Sequence, residues 1–351
     1  RQCRGWSGAK RVEFGSGLKR WASLIGAPDL KLFPQAFGAQ SVVFRAGLEL
    51  SVMHWGLAFL ARLRALRLLP KLTRFLGPIR WMSECLKPFG SDRGAMTVDV
   101  TGFKADEPVR RRWQVIAKAG DGPFIPAVPA RAIVRKIDAV KPGARPCLDD
   151  LTLQEVEHAM SGLAVEFARA EEARPTPVRR ALAESWHALP SSIRRLHSVQ
   201  DVECFTGRAT VMRGTSLLAR SLAWLFNFPR AGEKLPLAVA KERKGEGEIW
   251  ERNFAGRKFR SHLYPSRRAG HVKERFPVFT FELRLSAGDG KLYLPVSRAW
   301  MFGIPLPARL LPKSESREYD EGGTFCFDVA LHAPLGGGLI VRYRGHLVPA
   351  C

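Results

Sequence analysis

At 351 residues the chain is too long for one average domain and comfortable as two. An apolar content of 46% supplies real cores, and six scattered cysteines with no paired short spacing exclude a zinc framework and fit a reducing compartment. A net charge of +23, from 56 Lys and Arg against 33 Asp and Glu, suggests an anionic partner. The excess is spread along the whole chain, with heavy Ala, Gly and Pro use and no zinc-finger or RNP-type motif, and this argues against nucleic-acid binding.

Position 1 is Arg and the chain enters mid-pattern, so a fragment or a partial gene product is expected. Residues 41–50 read as a strand, followed by a helix from Ser51 to Leu69. Pro70 interrupts it, and a second helix is expected from there toward Cys85, since proline is tolerated in a first turn. Between Leu50 and Ser83 there is no acidic residue. Arg64, Arg67, Lys71 and Arg74 fall on one side of a helical wheel; Leu68, Leu69, Leu72, Phe75 and Leu76 fall on the other. Such a basic amphipathic pattern over 51–86 suits an anionic membrane surface, and equally the ordinary covering layer of a globular domain. The uncharged run around Leu50–Ala61 is well short of the ~20 apolar residues a spanning helix requires.

Strands are expected at Met96–Thr101 and Arg112–Lys118, with polar turn chemistry between them at Lys104–Pro108. After the turn Gly120-Asp121-Gly122-Pro123 comes a helix over about 129–140, then a helix over Leu151–Ala168 opened by a Thr152-x-x-Glu155 capping box. Residues 171–185 read as a linker, within a charged, proline-bearing stretch that divides residues 1–170 from residues 186–351.

Beyond the linker a short helix spans about 191–198, and a strand, Thr206–Arg213, leads into a helix carrying Leu217, Leu218, Leu222, Trp224, Leu225 and Phe226. From Leu235 the period falls to two. Phe279, Phe281, Leu283 and Leu285 alternate with Thr280, Glu282, Arg284 and Ser286. Phe325, Phe327, Val329 and Leu331 repeat the pattern, as do Leu237 with Val239, and Leu339, Val341 and Tyr343. Turn residues at Gly245, Gly256, Gly288–Gly290 and Gly322–Gly323 punctuate successive hairpins. The fold class expected is α+β: a mixed α/β first part, then a curved, mainly antiparallel sheet, partly closed as a barrel, with one inserted helix.

No Walker loop, no strand-preceded G-x-G-x-x-G, no H-E-x-x-H and no nucleophile elbow occurs, so neither a dinucleotide-binding half nor a metal or catalytic set is present. His54, in an apolar helix, reads as a satisfied core or interface residue rather than a base.

Residues 29–50, PFGSDRGAM at 88–96, residues 110–137 and GARPCLDDLTLQEVE at 143–157 resemble the region after the Rossmann half in bacterial saccharopine dehydrogenase-like oxidoreductases. From Leu189 the chain resembles the domain of unknown function, family 4166, that follows such enzymes in one polypeptide. The motifs are LPSSIRRLH (189–197), GRATVMRG (207–214), Trp250 to Phe259, Lys273-Glu274-Arg275-Phe276, Gly303 to Pro307, Phe325 to Val329 and Val341 to Gly345. The resemblance implies NAD(P) for the full-length family, with the cofactor held by an N-terminal Rossmann half that would be this chain's partner. No cofactor is expected on this chain alone, and a cytoplasmic location is expected, with the inner membrane face as an alternative. Under this reading the chain supplies the substrate-side wall of an NAD(P)-linked oxidoreductase plus an accessory domain. The competing reading is a non-catalytic module whose curved sheet holds an apolar or lipid-like ligand while the basic helices dock to a membrane, and a third is a degenerate remnant with neither role.

Two places are candidate ligand or substrate contacts. Gly120, Asp121 and Gly122 form a loop that could face a cofactor–substrate cleft, or a plain turn. Trp250, Arg252, Phe254 and Arg257 lie on a hairpin across Ala255-Gly256. If the first three share a face, an arginine lies between aromatic rings, suited to a polar head group in an apolar pocket or to simple packing over the rings. Arg342 and Arg344 read as a solvated strand face, and Asp328 as the partner of an arginine on a neighbouring strand.

Overall fold

The structure, a computed structural model, describes residues 4–70 and 72–350. The chain divides into two compact units. The first comprises the chain up to Val100 and Arg111–Glu171; the second comprises Thr101–Arg110 and the chain from Glu172 on.

In the first unit, β1 (Lys10–Glu13), β2 (Lys19–Leu24) and β3 (Arg45–Ala46) make a small sheet, with α1 (Asp29–Phe37) between β2 and β3. Helix α2 (Ser51–Ala65) places His54 Nε2 at 2.9 Å from Ser23 Oγ, with the edges of Trp6 and Trp55 against its ring. Burial lowers the pKa of His54, as expected of a core histidine. Helix α3 (Leu76–Leu86) precedes the hairpin of β4 (Gly94–Lys104) and β5 (Glu107–Ala117). Ala105 and Asp106, both at positive φ, form its two-residue turn, in the sense that matches strand twist. Helices α4 (Val128–Val134) and α5 (Leu153–Ala159) close a small core of Val115, Val128, Ala132, Ala159 and Met160. The capping box is present: Thr152 Oγ1 accepts from the Glu155 amide, and the Glu155 carboxylate accepts from the Thr152 amide.

Several expected spans are corrected. The strand expected at 41–50 is two residues long, and the helix expected to reach Leu69 ends at Ala65. Past Pro70 the α-helix begins only at Leu76, after a 3-10 turn over Leu72–Phe75, and Lys71 lies outside the described residues. The helix expected to run to Ala168 stops at Ala159. Gly162 turns the chain at φ +88°, and β6 (Val165–Ala173) follows. Pairing of β6 with β5 satisfies a backbone that the charged sequence had made look like a helix end and linker. Residues within the expected linker instead form α6 (Pro177–Leu182), capped by Thr176 with Pro177 at its first position, and bury Val178 and Leu182.

The second unit continues with α7 (Ser191–Leu196), β7 (Val202–Arg213), α8 (Leu217–Leu225), β8 (Gly232–Lys244), β9 (Gly247–Phe254) and β10 (Arg257–Pro265). Then come β11 (His271–Arg275), β12 (Phe279–Arg284), β13 (Ser286–Gly288), β14 (Lys291–Tyr293), β15 (Val296–Met301) and β16 (Ile304–Pro305). The last are β17 (Lys313–Glu321), β18 (Thr324–His332) and β19 (Leu339–Pro349). All thirteen strands from β7 on form one antiparallel sheet in the order β13-β14-β17-β18-β19-β7-β8-β9-β10-β11-β12-β15-β16.

The sheet is curled. β12 and β13 are separated in sequence by Leu285 alone, yet they stand eleventh and first in the sheet order. The rings of Phe254 on β9 and Tyr343 on β19 meet at 5.5 Å, although three strand spacings of about 4.8 Å would put them ~14 Å apart on a flat sheet. It is not closed, which corrects the partly closed barrel: the ladder ends at β13 and β16, edge strands of three and two residues. The reason is that the coiled segment after β16 leads to β17, on the far side of β14, rather than pairing back across the gap. Inside the curl lie Phe205, Val211, Leu237, Val239, Phe254, Phe259, Leu263, Val272, Leu283, Phe325, Phe327, Val341 and Leu347. The segment of α6 and α7 adds Trp186, Ile193 and Leu196 to that core, with α6 against β10 and β11 and α7 against β17 and β18.

Candidate functional site: a charged row and an aromatic end inside the curl

Strand alternation brings charge to the inner face. On β8 the apolar Leu237 and Val239 continue as Lys241 and Arg243; on β9 the set is Glu248, Trp250, Arg252 and Phe254. Lys241 and Glu248 are both fully buried, at 3.2 Å. The Lys241 ammonium also donates to the Leu196 carbonyl at the end of α7 and stands 4.1 Å from the centroid of the Trp250 ring. Trp250 Nε1 donates to Glu248 Oε2 at 3.1 Å. Burial pushes the Lys241 pKa down and Glu248 pulls it back up. A carbonyl, a carboxylate and a ring face surround the Lys241 amine, which ties it to α7, Glu248 and Trp250.

His197, just past α7, tilts its ring 5.5 Å from Trp250 and shares a 2.6 Å hydrogen bond between Nε2 and Glu318 Oε2 on β17. Arg252 completes the row. Its guanidinium lies 4.9 Å from the Trp250 ring and 5.5 Å from the Phe259 ring, donates to Ser261 Oγ at 2.8 Å and meets Glu274 on β11 at 3.2 Å. Arg252 and Glu274 keep 18% and 17% of their side-chain surface, and Glu318 keeps 12%, so solvent reaches the row here while Lys241 and Glu248 are sealed. Nearby, burial raises the Tyr343 phenol to about 12, with Arg252 opposing the shift.

From Arg252 the interior turns aromatic. Phe259 stacks on Phe254 and meets Phe228 edge-on, and Phe228 stacks on Phe226. Phe226 in turn touches Phe276, Phe279 and Phe281 at 5.1–6.0 Å. Phe226 follows α8, the helix that covers this end. Ser216 caps α8, accepting from the Ala219 amide and donating to the Gly337 carbonyl. The helix buries Ala219 and Ala223 and leaves Leu217, Leu218, Trp224 and Leu225 exposed.

The predicted residues fall in two separate places. Gly120, at φ +78°, and Asp121 form a turn after β5. Asp121 Oδ2 accepts from the Ala164 amide at 2.7 Å, bracing the start of β6, and Gly122 stands against Gly94. Trp250, Arg252 and Phe254 share the inner face, and the hairpin turn is Ala255-Gly256, both at positive φ. The two rings flanking Arg252 are Trp250 and Phe259. Arg257 instead donates to Asn227 Oδ1 at 2.8 Å, beside the end of α8. Asp328 has its neighbouring-strand arginine: Arg342 holds it with two bonds of 2.9 and 2.7 Å, so Arg342 is an ion-pair partner and not merely a solvated residue. Lys241, Glu248, His197, Glu318, Glu274, Ser261 and Tyr343 were missed. The signal for the first two lay in the alternation itself, where the apolar positions of β8 and β9 run on into charge without a change of period. Among the described residues no group of three or more His, Cys, Asp or Glu side chains could hold a metal. No described helix is long and apolar enough to cross a membrane.

A crystal structure of a protein of unknown function from the DUF3598 family of Nostoc punctiforme aligns with a TM-score of 0.30 and 9% identity, covering 73% of this chain and 67% of that one. No curated protein matches this chain. Residues 189–347, which contain the whole charged row and its aromatic end, match the family described as Domain of unknown function (DUF4166).

Proposed function

We propose that the second unit is a non-catalytic binding module for an amphipathic, lipid-like molecule, with the aromatic end taking the apolar part and Arg252 the polar head. The observation that carries this reading is the position of Arg252: partly accessible, between two aromatic rings, at the junction of the charged row and the phenylalanine cluster. An anionic or hydroxylated head would exchange for Glu274 on the guanidinium, while the tail displaces Phe226 and α8. Helix α8 suits such an exchange, since its buried face consists of two alanines with Leu222 and Phe226 partly covered. Native mass spectrometry of the purified chain tests this. A bound mass in the lipid range, lost in Arg252→Leu and in Phe226→Ala, is the expected result; a bare chain from several hosts would refute it.

The segments at 29–50, 88–96, 110–137 and 143–157 support a wider proposal: the first unit is the substrate-side part of a saccharopine dehydrogenase-like, NAD(P)-linked oxidoreductase whose Rossmann half is its partner. Titration calorimetry with NADP checks it, the expectation being no binding to this chain alone and micromolar binding once a Rossmann half of that family is supplied. Peripheral membrane contact through 51–86 also stands as a proposal, supported by exposed Val52, Trp55, Phe59 and Trp81 beside Arg62, Arg64 and Arg80.

A further inference from the structure

The aromatic end of the curl carries an apolar band on its outside. Helix α8 exposes Leu217 and Trp224, which keep 80% and 75% of their surface. On one flank Leu218 lies close to Gly337, so the loop bearing exposed Leu335 continues the band. On the other flank Phe226 meets Phe279, and Phe279 pairs in register with Met301, next to exposed Phe302 and Ile304 in the β15–β16 turn. A protein surface rarely leaves so many large apolar side chains contiguous without a partner.

The charge around the band selects the partner. Residues 205–232 contain no Asp or Glu, and Arg208, Arg220 and Arg230 among them are exposed, while Arg213 is half-buried and donates to the Phe228 and Pro229 carbonyls. Arg220 lies on the outer face of α8, three residues from Leu217 and four from Trp224, so the helix alternates apolar anchors with a cation on one stripe. Tryptophan and leucine with arginine on one short helix is the chemistry of an interfacial anchor: rings at headgroup depth, guanidinium on phosphate. A protein partner would need an acidic apolar groove; a bilayer bearing anionic lipid supplies both requirements without one.

We propose that α8, with the flanking 301–304 and 334–338 turns, docks on an anionic lipid bilayer, so that the aromatic end opens toward the membrane. This rests on the binding-module reading above and deepens it, since the bilayer becomes the source or acceptor of the ligand. The surface is distinct from the basic helices at 51–86.

Flotation of the full chain with phosphatidylcholine vesicles, with and without about one-third phosphatidylserine, tests the proposal. The chain is expected to float with the anionic vesicles and to stay in solution with the neutral ones. Leu217→Ser/Trp224→Ser and, separately, Arg220→Glu are expected to lower the bound fraction about tenfold, because apolar burial and one or two basic contacts set the affinity. Val134→Ser, at an exposed position of α4 outside both basic surfaces, is expected to leave it unchanged. Because the substituted side chains are exposed, the thermal melts should match the parent, which separates docking from unfolding. Parental flotation of the double variant, equal flotation with both vesicle types, or none with either would overturn the proposal. So would a self-association of the parent that the double variant abolishes, because the band's occupant would then be a second copy. Native mass spectrometry on the same samples reads ligand retention independently, so docking and ligand binding can fail separately.

Discussion

Lys241 and Glu248 face each other with no measurable solvent exposure, and each depends on the other for its charge to be tolerable. Lys241→Met would leave the Glu248 carboxylate with Trp250 Nε1 at 3.1 Å and Arg243 at 3.8 Å, the latter beyond hydrogen-bond reach. Removal of one partner of such a pair is expected to cost about 3 kcal/mol of stability, measured as a lowered urea midpoint. Lys241→Met combined with Glu248→Gln is expected to recover most of that loss; if it recovers none, the pair is not coupled. Tyr343 sets an alkaline limit. Its neutral phenol is favoured by the fold, which raises its pKa from 10.0 to about 12. The stability it contributes is therefore complete below pH 10 and is lost as the pH rises from 10 toward 12. Tyr343→Phe should flatten the alkaline fall in melting temperature over that window, and an unchanged fall would reject the assignment. At this scale the sequence was half legible. Alternation placed Trp250, Arg252 and Phe254 together, but Glu318, Glu274 and His197 arrive from distant strands and a helix end, and pairing partners follow from register and curl rather than from local period.

The β7–β19 ladder shows how the elements hold the curl. Gly207 faces Leu347 in this ladder, and a Cβ built on it would sit 1.9 Å from the His346 carbonyl oxygen; on the partner strand, a Cβ at Gly345 would sit 2.1 Å from the Arg208 carbonyl oxygen. The obstacles are backbone atoms of the paired strand, which cannot rotate aside, so the two strands would have to separate. Gly207→Ala is expected to destabilise by more than ~2 kcal/mol, well beyond the usual strand preference, seen as a lower melting temperature with unchanged strand content by circular dichroism. In the first unit, Thr152→Ala removes the side-chain half of the capping box and should cost about 1 kcal/mol. That box was legible because its residues are three apart on one chain. The end of α5 was not: Leu163 and Phe167 share a helical face with Val156 and Met160, while Leu163, Val165 and Phe167 also recur at the strand period, and only pairing with β5 decides between them. The linker was misread for a related reason, since charge and proline at 174–180 also describe a capped helix start, and burial of Val178 and Leu182 settles which.

For the whole molecule, the division into two units does not follow a single cut in the chain. The tip of the β4–β5 hairpin, Thr101–Arg110, belongs with the second unit, and no composition shift marks it. There the Glu107 carboxylate accepts from Arg179, and the Asp106 carbonyl accepts from Arg179 Nη1 at 2.8 Å. Arg179 is 8% exposed, lies 5.4 Å from the Trp186 ring and sits at the start of the helical segment that fills the curl. A chain cut to residues 172–351 keeps every strand of the large sheet but strips Arg179 of both acceptors. Loss of two hydrogen bonds made by a charged group costs about 1–3 kcal/mol, so the shortened chain should melt several degrees below the same unit in the full chain. Arg179→Met in the shortened chain removes the orphaned charge while keeping an apolar stem on Trp186, and is expected to raise its melting temperature. The same substitution in the full chain should lower it, because two good hydrogen bonds are lost there. That reversal of sign is specific to an acceptor pair supplied from outside the contiguous segment. If Arg179→Met shifts both chains in the same direction, the hairpin tip is not an integral part of the second unit.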